Sequence, residues 1–267
     1  MATYTHLSVE YSMQNRIATV TLRRPEVHNA FNAQVVQDLT TAFTTLRPDD
    51  HLHGVILTGE GPSFSAGADL NTMREAGTLT PQQNLDDALR LADLLHIINT
   101  FPCPVIARVN GTAMGGGVGL ITACDIVIAA ESARFAFSEV KLGIAPAVIS
   151  PFVVRKIGEG NARALFVTGE RFSATRAQEV GLVHSVVPLE FLDDAVQKAV
   201  NELLSSAPQA IRTCKMLAQT VGSMTYENAR RFTAETIADL RAGAEAQEGL
   251  SAFLEKRPAR WTPLAES

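Results

Sequence analysis

The sequence predicts an α/β protein in which strands alternate with helices over the first two-thirds, followed by a helical last third. Three observations support this fold class. Short apolar runs closed by glycine or polar residues alternate with segments in which apolar residues recur at helical spacing. Two glycine-bearing turns directly follow such apolar runs. From about Val148 onward nearly every segment has helical spacing, so we expect a parallel sheet with crossover helices and then a helical region.

The first half of the chain is predicted to contain four strands and two long helices. Apolar or β-branched runs predict strands at Leu7–Tyr11, Arg16–Leu22, Gly54–Gly59 and Val105–Val109. Helical spacing of apolar residues predicts helices over Ala33–Leu46 and Leu85–Asn99. The connecting segments Arg23–Ala30 and Glu60–Gly67 are predicted to be loops.

The second half is predicted to contain two further strands and then mostly helices. The glycine-rich turn Asn110–Gly117 opens a helix over Val118–Ala123, and strands follow at Asp125–Ala130 and Arg134–Phe137. The helices predicted after them are Ser150–Ile157, Ala162–Val167, Ala174–Val180, Leu189–Leu204, Pro208–Val221, Tyr226–Ala242 and Ala244–Glu255. Small polar residues near Ser205 predict a boundary, with a core over 1–205 and a helical C-terminal region over 206–267.

Composition excludes several classes of protein. The 267 residues are 46% hydrophobic and carry a formal net charge of -5, without a long basic run, so we expect no nucleic-acid partner. No apolar stretch approaches the roughly 18 residues that span a bilayer, and no signal peptide precedes the first strand, so we expect no membrane partner. The three cysteines, Cys103, Cys124 and Cys214, are widely spaced, which favours a reducing compartment and a cytoplasmic protein without a metal site.

Two glycine-bearing turns are the strongest candidates for a functional site. The segments Ser63–Leu70 and Met114–Gly119 each follow a buried strand, where ligands of open α/β sheets collect. Their backbone N–H groups could bracket one oxygen that gains negative charge during a reaction. Plain strand-to-helix turns remain the alternative. A phosphate cradle is disfavoured, because neither the Gly-Lys-Ser/Thr ending nor the G-x-G-x-x-G spacing is present.

Four motifs in order resemble the crotonase (enoyl-CoA hydratase/isomerase) family and span nearly the whole chain. Ser63–Leu70 resembles the family's x-F-(S/A)-A-G-A-D-L segment, and Val109–Asp125 resembles V-x-G-x-A-x-G-G-G-x-x-L…C-D. Arg24–Ala30 resembles R-P-x-x-x-N-A, and Phe172–Val183 resembles F-x-A-x-x-A-x-x-x-G-L-V. The resemblance implies a crotonase-like spiral of ββα units with a helical C-terminal region that serves oligomerisation.

The resemblance also implies a site and its ligand. The N–H groups of Ala66 and Gly116 would form an oxyanion hole for the thioester of an acyl-CoA substrate, in a homotrimer or homohexamer. Coenzyme A is part of that substrate, so no separate cofactor is expected. The resemblance implies six substrate-binding residues, which are Arg24, Ala68, Asp69, Leu70, Gly119 and Lys256. Arg24 would contact a CoA phosphate, and Lys256 would reach the CoA of a neighbouring subunit. Asp69 would cap a helix.

Glu139 occupies the place of the family's second catalytic glutamate, although a lone glutamate in a loop is otherwise usually a solvated residue. Two-glutamate hydratases carry their other glutamate where this chain has Gly119. Three interpretations remain open. Glu139 acts as both base and acid in a hydration, or the enzyme is a one-base isomerase, or a side chain such as Glu131 or Asp69 compensates.

The absence of that glutamate also bears on the substrate. Gly119 together with the segment Ser138–Pro151 resembles the bacterial methylglutaconyl-CoA and isohexenylglutaconyl-CoA hydratase branch, which hydrates branched enoyl-CoAs that bear a carboxylate. Such a substrate needs a cation in the acyl pocket, for which the candidates are Arg74, Lys141 and Arg155. Hydration is predicted, with isomerisation as the alternative. A non-catalytic crotonase-like binding protein is disfavoured by the acidic charge and by Glu139.

Overall fold

The structure, a computed structural model, describes residues 3–14, 16–47 and 49–262. The chain divides into two compact units, Met1–Phe101 with Val105–Val196, and Pro102–Pro104 with Gln197–Ser267. The division after Val196 falls inside a helix, whereas the small polar residues predict a boundary after 205. The oligomerisation role of 206–267 stays a prediction.

The first unit contains two sheets. The larger has the strand order β1-β2-β3-β5-β7-β10, and the smaller has the order β4-β6-β8-β9. Neighbouring strands are parallel except for the pairs β1–β2 and β8–β9, which are antiparallel. The strands are β1 Leu7–Ser12, β2 Ile17–Leu22, β3 Gly54–Gly59, β4 Ser63–Ser65, β5 Val105–Val109, β6 Thr112–Met114, β7 Ile126–Ala130, β8 Arg134–Ala136, β9 Phe172–Ser173 and β10 Ser185–Val187.

Successive strand pairs spiral through the two sheets. In each of the pairs β3/β4, β5/β6 and β7/β8, the first strand joins the larger sheet, the second joins the smaller sheet, and a helix follows. This repeat confirms the predicted α/β spiral of ββα units with a helical C-terminal region. The helices are α1 Ala33–Leu46, α2 Leu70–Ala76, α3 Pro81–Asn99, α4 Gly116–Ala123, α5 Ser150–Thr168, α6 Ala174–Glu179, α7 Leu192–Ser205, α8 Pro208–Thr220, α9 Tyr226–Ala242 and α10 Ala244–Leu254.

The smaller sheet determines where the candidate site lies. Parallel pairing of β4 with β6 and of β6 with β8 brings the carboxyl ends of these three strands, Ser65, Met114 and Ala136, to one edge. The strands are only three residues long and are held by a buried core that includes Phe64 and Phe135. The segments that follow them are therefore fixed side by side.

Several elements differ from those expected. Strands β4 and β6 lie in segments predicted to be loop and turn, and β9 and β10 were not predicted. The two helices expected over Ser150–Ile157 and Ala162–Val167 form one helix, α5, with a break at Gly158, where φ is 76°. Within the described part of the chain, none of the helices combines the length and apolar character needed to cross a membrane.

The second unit is built mainly from α8, α9 and α10. Near the start of α8, the backbone N–H groups of Gln209 and Ala210 donate to the Glu245 carboxylate at 3.0 and 3.2 Å. The Trp261 indole N–H donates to the Ser205 carbonyl at 3.1 Å, so the chain after α10 is held against the end of α7. These contacts tie α10 and the residues after it to helices that precede them.

Candidate active site

The candidate site lies where two cavities of the first unit meet. The first cavity has a volume of about 450 Å³ and the second about 270 Å³. Both are lined by the segments that follow β4, β6 and β8. Four residues belong to both walls, namely Ala68, Met73, Gly116 and Glu139. An extended ligand that fills both cavities must therefore pass these four residues.

The two glycine-bearing turns are in backbone contact at Gly67. This residue has a φ of 83°, which favours glycine. A Cβ at this position would lie 2.5 Å from the Met114 carbonyl oxygen and 3.1 Å from the Gly116 nitrogen. The absence of a side chain at Gly67 thus lets the two turns approach each other.

The N–H groups of the first turn differ in their availability. The Ala66 N–H donates to the His28 carbonyl at 2.8 Å. The prediction that Ala66 supplies an oxyanion donor is therefore wrong, because its N–H already has an acceptor. The Ala68 N–H, by contrast, has no hydrogen-bond acceptor among the described residues. Ala68 was predicted only as a substrate-binding residue, and it is the residue of this turn that reaches both cavities.

The second turn offers a matching donor. Gly116 is the first residue of α4, and the first N–H groups of a helix have no partner within the helix. Its N–H has no acceptor among the described residues either. Gly115, just before it, donates its N–H to the Ala136 carbonyl at 2.9 Å, which fixes the turn against β8. The structure therefore replaces Ala66 by Ala68 as the first candidate donor and keeps Gly116 as the second.

Glu139 lies beside this pair of donors. It belongs to a 3₁₀ turn, Ser138–Leu142, that follows β8. A Cβ at Gly115, whose φ is 48°, would lie 3.0 Å from Glu139 Oε1, so the carboxylate packs directly on the Gly115 backbone. Glu139 Oε2 is buried and has no hydrogen-bond partner in the part of the chain that the structure describes. Burial raises the pKa of Glu139, because desolvation disfavours its charged form. A carboxyl group of this kind can exchange a proton with a ligand.

Gly119 lies outside the walls of both cavities. It is buried in α4 and lines neither cavity, so its assignment as a substrate-binding residue is corrected. A Cβ at Gly119 would collide with Ile149 Cγ2. The space next to this position is occupied by Ile149, which lines the second cavity. Nor do the described residues supply a compensating carboxylate from Glu131, which is exposed and lines neither cavity.

The remaining predicted residues divide between the site and its surroundings. Asp69 and Leu70 line the first cavity, and Asp69 caps α2 by accepting from the Asn71 N–H, which confirms its predicted structural role. Arg24 lines neither cavity. Lys256 follows α10 in the second unit with a φ of 55°, and its contact with a neighbouring subunit's CoA stays a prediction.

The two cavities differ in charge. Lys141 and Arg171 line the first, while the described wall of the second contains neither lysine nor arginine. Arg74 and Arg155, two of the three cations considered for a substrate carboxylate, line neither cavity. Sequence reasoning missed Arg171, although it directly precedes the Phe172-Ser173-Ala174 motif.

The contact between Gly119 and Ile149 leads to a stability prediction. Gly119→Ala should lower the free energy of unfolding by about 1–2 kcal/mol, because overpacking a core costs about 1–3 kcal/mol and exceeds the roughly 0.5–1 kcal/mol that alanine gains in a helix. In an Ile149→Leu background, which removes the Cγ2 methyl group at similar volume, the cost should be smaller. Urea unfolding of the four proteins measures the coupling. Equal costs in both backgrounds would show that Ile149 does not fill this space.

Comparison with known proteins matches nearly the whole chain to one family. The model of the family described as enoyl-CoA hydratase/isomerase matches residues 12–263. The enoyl-CoA hydratase ACTT6 of Alternaria alternata is 34% identical over 245 residues, covering 91% of this chain and 80% of that protein. A crystal structure of an enoyl-CoA hydratase from Shewanella pealeana has a TM-score of 0.91 at 39% identity, covering 96% of each chain. One from Mycobacterium smegmatis has a TM-score of 0.91 at 33% identity, covering 96% of this chain and 99% of that chain.

Proposed function

The chain belongs to the enoyl-CoA hydratase/isomerase family, and from this membership we propose that it adds water to the double bond of a 2-enoyl-CoA thioester. One observation carries the proposal. Two backbone N–H groups, at Ala68 and Gly116, lie at the junction of two cavities together with Glu139. Among the described residues, neither N–H has an acceptor and the buried Glu139 Oε2 has no hydrogen-bond partner. This arrangement suits a reaction that develops charge on one oxygen and moves one proton nearby.

In the proposed reaction, the thioester oxygen accepts hydrogen bonds from Ala68 and Gly116. As the oxygen of water bonds to carbon 3, the electron pair of the double bond moves onto the thioester, and the two N–H groups stabilise the resulting enolate. The Glu139 carboxylate takes a proton from the water. It then returns a proton to carbon 2, which restores both the thioester and the carboxylate. One carboxyl group thus performs both steps, since this chain has Gly119 where two-glutamate hydratases carry their other glutamate.

The charge of the cavities supports an orientation for the substrate. We place the CoA arm in the first cavity, where the cations Lys141 and Arg171 attract its phosphates. The acyl chain then enters the second cavity. That wall is mainly apolar, and its polar members are Asn32, Thr72, Asn84, Asp87 and Glu139.

The acyl group itself has two candidates. Resemblance to the methylglutaconyl-CoA and isohexenylglutaconyl-CoA hydratase branch supports a branched acyl group with a carboxylate. The described wall of the second cavity supports an uncharged one, because it lacks a cation and includes the carboxylate of Asp87. Burying an unpaired carboxylate there is costly. Of the candidate cations, Lys141 is the one that lines a cavity, and it lies in the first.

A panel of substrates in water enriched in heavy oxygen tests both proposals. Straight-chain 2-enoyl-CoAs should be hydrated with kcat/KM at least about tenfold above that of 3-methylglutaconyl-CoA, since an unpaired buried charge costs more than 1.4 kcal/mol, which is one factor of ten. The product alcohol should contain solvent oxygen. A shifted double bond without incorporated oxygen would establish isomerisation instead. A preference for 3-methylglutaconyl-CoA would establish the carboxylated class.

The homotrimer or homohexamer implied by the resemblance is proposed on a separate observation. The second unit exposes large apolar side chains on its helices, among them Phe253 and Leu254, which are 83% and 79% exposed. Exposed apolar surface of this kind often marks an interface between subunits. The mass of the protein in solution tests this assembly.

A further inference from the structure

The loop that carries Ala68 is bonded on both sides to the segment 24–31. The Phe31 N–H donates to the Gly67 carbonyl at 2.7 Å, and the Asp69 N–H donates to the Phe31 carbonyl at 2.8 Å. The Ala66 N–H donates to the His28 carbonyl in the same way. These bonds flank Ala68, whose own N–H has no acceptor in the described ranges. The direction of that N–H is therefore set by how the segment 24–31 is held.

Arg24 holds this segment and the Ala68 loop together. One guanidinium nitrogen donates to the Ala30 carbonyl at 2.7 Å, and two nitrogens lie 3.3 and 3.4 Å from Asp69 Oδ2. The side chains of Arg24 and Asp69 are only 13% and 14% exposed. Their ion pair is thus largely shielded from water. Because it is partly buried, its attraction is screened much less than that of a surface pair.

The place of Arg24 also argues against direct contact with a ligand. Ala30 and Asp69, its two partners, line the first cavity, but Arg24 does not. It therefore lies behind the wall that they form. Lys141 and Arg171, in contrast, line that cavity themselves.

We infer that Arg24 is a positioning residue that fixes the Ala68 N–H through Ala30 and Asp69, and that it is not a contact for a CoA phosphate. This inference rests on the proposed hydratase function and replaces the sequence-based assignment of Arg24. Without Arg24, the Asp69 carboxylate loses its partner, and the loop that carries Ala68 loses its link to Ala30. A displacement of about 1 Å at a catalytic group can cost about 100-fold in rate.

The phosphate-free substrate crotonyl-pantetheine separates positioning from phosphate binding. Arg24→Gln should lower kcat about 10- to 100-fold, by the same factor with crotonyl-CoA and with crotonyl-pantetheine, and should leave KM within about twofold. Arg171→Gln is the matched control. It should raise KM for crotonyl-CoA and leave KM for crotonyl-pantetheine unchanged. Arg23→Gln removes an exposed pair with Glu60 next to Arg24 and should change neither value.

A readout without turnover keeps the inference separate from the proposed function. The infrared carbonyl stretch of a bound acyl-CoA thioester labelled with carbon-13 should shift to lower frequency in the wild type, and less so in Arg24→Gln. If the wild type hydrates none of the enoyl-CoAs, the proposed function fails, while the carbonyl shift still tests Arg24. If Arg24→Gln does not fold, Arg24→Lys and Asp69→Asn are measured in the same way. A loss seen only with crotonyl-CoA, or an unchanged carbonyl shift, would overturn the inference.

Discussion

Replacing Gly116 by proline should lower kcat by about 100- to 1000-fold, the usual cost of removing one donor from an oxyanion hole. Proline lacks the N–H that we propose binds the thioester oxygen, and its ring carbon Cδ takes the place of that hydrogen, so the oxygen loses both the donor and the space beside it. Gly116 is the first residue of α4, and this position tolerates proline because its N–H has no partner within the helix. The loss should therefore concern the reaction and not the fold.

Gly116→Ala is the control for this prediction. A Cβ at Gly116 would lie 3.1 Å from Phe31 Cε2, so both variants press on the same ring, but only alanine keeps the N–H. Alanine should retain kcat within about tenfold of the wild type, since the ring must move by only a few tenths of an ångström. Steady-state kinetics with crotonyl-CoA measures both. Equal losses would assign the effect to Phe31, and a proline variant of full activity would remove Gly116 from the mechanism.

The choice between Ala66 and Ala68 shows what the sequence could not provide. The motif predicted the turn, its position after a buried strand and its proximity to the second turn. It could not show which N–H lacks an acceptor, because the acceptor of Ala66 is a carbonyl of His28, which is distant in sequence. The partners of Arg24 could not be predicted for the same reason, since they are known only once the two loops are packed together.

The fold was predicted best where an element has a clear apolar pattern of its own. Helix α1 begins and ends at the residues that apolar spacing predicts, and strand β3 at those that its apolar run predicts. Three of the four strands of the smaller sheet, β4, β6 and β9, were missed, because strands of two or three residues are too short to show a period. Its parallel pairing nevertheless brings the site together. The close approach of Ile149 to Gly119 is likewise a packing contact that no motif records.

Glu139→Gln should lower kcat by about 100- to 10 000-fold, because one carboxyl group performs both proton transfers and glutamine performs neither. Glutamine is the same size, so the site should keep its shape and its affinity for acyl-CoA. Glu139→Asp keeps the acid but shortens its reach, and it should retain more activity than glutamine. Steady-state rates together with calorimetric binding of a saturated acyl-CoA separate the loss of chemistry from a loss of binding. A glutamine variant with wild-type kcat would rule out Glu139 as the acid and base.

Glu139→Gln should raise the stability of the folded protein although it lowers activity. The pKa of Glu139 is raised by burial, so the folded state holds its proton more tightly than the unfolded state does. Ionising Glu139 therefore costs stability as pH rises from the ordinary glutamate value through the raised pKa, and the cost persists above it. Glu139→Gln lacks this cost, so its melting temperature should exceed that of the wild type at neutral pH and approach it in acid.

Activity should follow the same titration, since kcat/KM of the wild type needs the ionised base and falls as pH drops through the raised pKa. A protein that is most active in the pH range where Glu139 destabilises it most would thus retain this carboxylate for catalysis and not for folding.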